Sequence, residues 1–233
     1  MMVSGRNDFL DSLQRRSTVV KAMLVAFMAM TGLALIAALV LLYYEVSIPY
    51  SVSYAIAIDG DRKIAAAIAL MGWGFLCAML LGLAVAVALP VWIYRAWSNL
   101  HVLGLEGLNY TPGWAAGSLF VPFVNLVIPM KAMRELYNRS SGEDAWQSEA
   151  PAPDVSSWWS AFLAAMFLRL ILLYVLIVNS IPFLRFVAPP GVNTGLHALS
   201  MILFLAAAFF LFRAVSAITR FQMSSSHVSQ AFT

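Results

Sequence analysis

The sequence predicts an all-helical integral membrane protein, a four-helix bundle with a broken-helix segment on its cytoplasmic side. Three observations predict it. Hydrophobic residues fill 62% of the 233 positions and charged ones only 11%, whereas a soluble domain carries roughly 25% charged residues. Four runs are long and apolar enough to cross a bilayer, which takes about 20 helical residues. Between the second and third runs lies a half-polar stretch broken by Pro112-Gly113, Pro122 and Pro129. With a mean hydropathy of +0.83, the chain has too little polar surface to cover itself in water, so lipid replaces water over most of it.

Each element follows from its residues. In residues 1–21, Phe9, Leu10 and Leu13 oppose Asp8, Asp11, Arg15 and Arg16, the pattern of a short amphipathic helix on the inner leaflet. Span one, Ala22–Tyr44, carries no charge over 23 residues, longer than the apolar part of a signal peptide, about 7–15 residues. Tyr50–Lys63 forms an outer loop with an Asp59-Gly60-Asp61 turn. A calcium loop needs several more oxygen ligands at fixed spacing. Span two, Ile64–Tyr94, is bounded by Arg62-Lys63 and Arg95. At 1.5 Å per residue it is about 46 Å long, so it tilts, kinks at Pro90 or protrudes.

The broken segment covers residues 104–139. Gly117, Pro122, Pro129 and Asn125 in its interior argue against a straight lipid-exposed helix, and point to a re-entrant or interfacial hairpin whose irregular backbone is sheltered by protein. Its last part places Met130, Met133, Leu136 and Tyr137 on one side, as in a helix lying at the inner interface. Residues 140–156, rich in Ser, Pro, Ala and acids, suit a mobile cytoplasmic linker. Spans three and four follow at Trp158–Ile181 and Leu196–Phe221, and a short polar tail occupies 222–233.

Charge orients the bundle. With both termini inside, the cytoplasmic side receives Arg6, Arg15, Arg16, Lys21, Arg95, Lys131, Arg134, Arg139 and Arg220, and the outer side Arg62, Lys63 and Arg185. That is the bias the positive-inside rule expects. The net charge of +3 therefore suits topology and anionic lipid headgroups, with no nucleic-acid partner. Trp92, Trp97, Trp114, Trp158 and Trp159 fall where an interfacial aromatic belt is expected.

The sharpest candidate site is a pair of intramembrane arginines. Arg169 in span three and Arg213 in span four lie roughly 12–17 Å deep and within about 5 Å of each other in depth. A charge near the bilayer centre costs at least about 2.5–3.5 kcal/mol. Residues 64–94, 158–181 and 196–221 hold no Asp or Glu, and neither does 22–44. The neutralising anion would come from Glu106 or Glu135, from exposed carbonyls, from a lipid phosphate or from a bound anion. Arg213, Ser216 and Arg220 share a face at intervals of three and four, a polar track toward the cytoplasmic surface. The alternative is plainer: both arginines snorkel or donate to carbonyls of neighbouring helices.

A second pattern concerns packing. Gly74, Ala78, Gly82 and Ala86 recur every fourth residue along span two, a stripe that lets helices approach closely. It serves packing within the chain or a self-association seam, a twofold dimer first. Enzymatic signatures are missing. There is no zinc-binding His-Glu-x-x-His, no phosphate loop and no nucleophile elbow. His101, His197 and His227 are not spaced to share a metal or haem, so no cofactor and no metal are expected. Cys77 stands alone within an apolar run.

The broken segment also carries a resemblance. The run Trp92-Ile93-Tyr94-Arg95-Ala96-Trp97-Ser98-Asn99, then Leu103-Gly104, Thr111-Pro112-Gly113-Trp114, Gly117, Phe120, Pro122, Asn125-Leu126, Pro129 and Met133-Arg134-Glu135-Leu136 resembles a bacterial membrane family known as domain of unknown function 4328. The resemblance implies a multi-pass protein of the bacterial cytoplasmic membrane and implies no activity. Arg95 and Asn99, one turn apart, are expected to hold the free carbonyls around Pro122 and Pro129. Function then falls between a binding or accessory subunit, with an inner-leaflet site for anionic lipid or a small anion, and a small transporter or channel protomer.

Overall fold

The computed structural model describes residues 2–47, 62–144, 148–181, 183–184 and 188–231. The Asp59-Gly60-Asp61 turn and Arg185 lie outside the described residues, as do the side chains of Arg6, Asp8, Phe9, Lys63 and His227. The chain order is α1 (Met2–Ser47), α2 (Arg62–Val102), α3 (Pro112–Gly117), two 3-10 turns (Ser118–Phe120 and Val124–Leu126), α4 (Ile128–Ser140), α5 (Pro153–Asn179) and α6 (Val192–Ala231). Four of these are long and apolar enough to cross a membrane, over Leu10–Ser47, Ile64–Val102, Pro153–Asn179 and Val192–Ser224.

The helices run further than the sequence suggests. The amphipathic N-terminus and span one form a single 46-residue helix, because no Gly or Pro interrupts residues 6–31. α2 runs through Pro90, forgoing the one backbone donor that the ring removes, and stops only beyond Val102. There Gly104 takes φ +71°, the left-handed conformation that closes a helix without a side-chain clash. α6 extends through the expected polar tail.

The chain forms two compact units, and each long helix contributes to both. The first comprises Met1–Val25, Leu81–Trp159 and Ala208–Thr233; the second comprises Ala26–Leu80 and Ser160–Ala207. The second unit is packed with small residues. Ala34 and Ala38 of α1 meet Ala198 and Met201 of α6, with Leu35 and Met71 against them. A Cβ added at Gly74 would meet the Cβ of Ala34 at 2.9 Å and its Cα at 3.3 Å, so the two backbones need glycine to come this close. Ala78 is buried as well. This half of the small-residue stripe is therefore spent inside the chain. Phe27 and Phe162 stand edge-on to Phe204, with centroids 6.3 and 6.4 Å away.

The first unit has a different core. Trp92, Ile93, Ala96, Trp97 and Leu100 of α2 are buried, as are Leu13 of α1, Met133 and Leu136 of α4, Val155, Trp158 and Trp159 of α5, and Val215 and Ile218 of α6. Four of the five tryptophans expected in an interfacial belt are thus core residues, and Trp114 alone of them is exposed. α4 is packed into this core, with eight of its thirteen residues buried. The connector expected to be mobile is anchored, since Asn138 donates from Nδ2 to the carbonyls of Ser148 and Ala150, and Ser148 and Ala152 are buried.

Candidate functional site

The broken segment belongs wholly to the first unit, and its local chemistry explains its shape. Thr111 caps α3: its Oγ1 accepts from the backbone N–H of Trp114 at 3.3 Å, and Pro112 fills the opening position, where a missing N–H costs nothing. Gly113 and Trp114 are exposed on this short turn. After the first 3-10 turn, Pro122 is exposed and Phe123 adopts φ +65°. A bulky residue in that region is an outlier whose strain the surroundings must hold. Phe123 is 84% exposed, and Phe120, Leu126 and Val127 beside it are exposed too. Asn125 is half-buried, while Pro129 is buried at the start of α4.

Three side chains tie this irregular backbone down. Trp159 Nε1 donates to the Leu126 carbonyl at 2.9 Å. Glu135, 2% exposed, accepts from the backbone N–H of Asn109 at 2.8 Å and from its Nδ2 at 3.2 Å. Arg139, also buried, donates to the carbonyls of Glu143 at 2.7 Å and Glu106 at 2.8 Å. Burial, followed by the Glu135 carboxylate, pushes the Tyr110 phenol above its ordinary range, so it stays protonated.

Arg95 and Asn99 act elsewhere than expected. Arg95 Nε donates to Ser12 Oγ at 2.6 Å. Asn99 Nδ2 donates to Gln222 Oε1 at 3.1 Å, and Gln222 Nε2 donates in turn to the Ala96 carbonyl and to Ser140 Oγ. All four residues of that knot are buried. Asn99 thus links α2 to α6 and does not serve the prolines.

The arginine candidates each find a separate partner. Arg213 Nε meets Asp154 Oδ2 at 3.2 Å. Asp154 was expected in the linker, but α5 begins at Pro153, which carries the carboxylate into the helix. The anion for Arg213 is thus neither Glu135 nor Glu106. Ser216 Oγ donates to the Phe212 carbonyl of its own helix, and Arg220 is exposed over the Phe221 ring at 5.6 Å. Arg169 belongs to the second unit. Its Nη1 lies 2.8 Å from His197 Nδ1. A guanidinium only donates, so Nδ1 accepts and the imidazole is neutral with its proton on Nε2. The Phe75 and Phe204 rings stand 4.9 and 6.0 Å from the guanidinium carbon, a cation–π environment that needs no acid.

The motif residues, with the second and third spanning helices and most of the fourth, fall within the region of a known family. A family model described as domain of unknown function (DUF4328) matches residues 58–220. The chain belongs to this family. No curated protein and no solved structure matches this DUF4328 member. Several residues that organise its first unit carried signals in the sequence. Gln222 continues the buried 211–215–218 stripe by one further turn, and Asp154 directly follows a proline, as the first-turn acid of a helix does. Asn109 and Trp159 gave no such sign, because their partners, the Glu135 carboxylate and the Leu126 carbonyl, lie 26 and 33 residues away along the chain.

Proposed function

We propose that this protein is a membrane-embedded binding or accessory subunit, not an enzyme, and that its first unit engages anionic lipid headgroups at the inner leaflet of a bacterial cytoplasmic membrane, with both termini cytoplasmic. Unbalanced charge supports this most directly. Asp154 takes Arg213, and Glu149 lies 3.8 Å from Arg134. Among the described residues, Arg15, Arg16, Lys21, Lys131 and Arg220 have no acid within ion-pair distance. A basic residue beside an anionic leaflet is worth about 1 kcal/mol. Of the sequence candidates, the exposed Arg220 has no acid within ion-pair distance among the described residues and Arg213 stays half-exposed beside Asp154, which supports the reading. Ser216 and Arg169 are occupied within the protein.

Mass spectrometry of what stays bound after mild detergent extraction tests this. The expected result is retained anionic phospholipid, reduced in Arg220→Leu at unchanged thermal stability. Wild-type protein free of anionic lipid would refute it. A second copy or a complex partner would appear in the same spectra. A transporter or channel reading also has one observation in its favour. In the second unit, Thr194 donates to Glu45 at 2.9 Å, His197 meets Arg169, and Ser200 donates to the His197 carbonyl, a polar series along α6. Ion flux into liposomes would favour that reading.

A further inference from the structure

A groove of about 310 Å³ opens on the first unit between α1, α2 and α3. Its lining is apolar. Pro90 contributes a ring and no N–H, Val91 and Tyr94 follow on α2, and Ala116, Gly117 and Phe120 face them. One lining residue is charged, Arg16. Its guanidinium spends one N–H on the Val91 carbonyl at 3.3 Å and has four more to offer. Ligand clefts range over about 300–1,000 Å³. This one lies at the small end, suited to a single hydrocarbon chain. Val91, Tyr94 and Phe120 are exposed, so a chain can enter sideways from lipid.

We propose that this groove seats one acyl chain of an anionic glycerophospholipid, with its phosphate on Arg16. Charge complementarity selects this occupant over an uncharged one. Arg15 is exposed at the neighbouring position, and Arg16 and Arg95 act on each other as like charges, a repulsion that a phosphate relieves. The inference rests on the lipid-binding reading above and gives it a seat.

Full-length protein is placed in phosphatidylcholine nanodiscs doped with a phosphatidylglycerol bearing a photoreactive acyl chain, irradiated, and its adducts are mapped. Adducts are expected on residues 87–94 and 114–120. Arg16→Gln should lower their yield roughly fivefold, the factor that one basic residue contributes at an anionic leaflet, and Arg16→Lys should restore most of it. Gly117→Leu should abolish them by filling the groove. Gly117 has helical dihedrals and nothing within 4 Å of an added Cβ, so this variant keeps its fold. Adducts spread evenly over α2, or unchanged in Arg16→Gln and Gly117→Leu, overturn the seat. If anionic lipid still co-purifies in that case, the broader reading survives. Two protein copies per nanodisc, with these residues free of lipid adducts, would assign the groove to self-association and also overturn the seat.

Discussion

The two units of this protein hold themselves together by opposite means. Ten of the twelve buried polar side chains among the described residues lie in the first unit; Thr31 and Ser200 are the two in the second. The first is knotted by Asn99, Gln222, Glu135, Asn138 and Arg139, whose partners are mostly backbone groups of irregular segments. The second is closed by alanines and one glycine at van der Waals distance. The difference shows what each kind of backbone demands. Regular helices satisfy their own amides, so close packing suffices, whereas a broken helix leaves groups that only side chains can satisfy away from water.

Substitutions can break that contrast or sharpen it. The largest effect is expected from Gln222→Leu, which strands Asn99 Nδ2, removes the partner of Ser140 Oγ and takes one donor from the Ala96 carbonyl. Each buried group left unmade costs about 1–3 kcal/mol, so the melting temperature in detergent should fall more than for any other single change here. Gly74→Leu should come next, at about 1–3 kcal/mol for overpacking, since the Ala34 backbone is in the way. A Gly74→Leu protein as stable as wild type would show that the second unit is not closely packed. His197→Leu leaves a donor of Arg169 without its acceptor and should cost about 1–3 kcal/mol, read as a lower melting temperature partly rescued by Arg169→Leu. Gly117→Leu should be neutral within about 0.5 kcal/mol. The same replacement would then be costly in one unit and silent in the other.

Much of the fold was legible in the sequence because spanning helices declare themselves by length and apolar composition. Proline and glycine spacing likewise marked the segment between Gly104 and Pro129 as broken. The site was less legible. Arg169 looked stranded because its partner, His197, is a neutral acceptor, and a search for acids passes over it. Arg213 looked stranded because helix starts are uncertain by a few residues, and Asp154 sat just outside the expected span. Trp92 and Trp97 were misplaced for another reason: a belt residue and a core residue near the end of a span have the same sequence context.

Gln222 has a consequence for biosynthesis. The ribosome delivers it 123 residues after Asn99, and at about 5–20 residues per second that interval lasts roughly 6–25 s. Throughout it the nascent chain carries amide and carbonyl groups whose final mate does not yet exist. A ribosome stalled just before the Gln222 codon would leave the first unit open although α1, α2 and α5 had already been made.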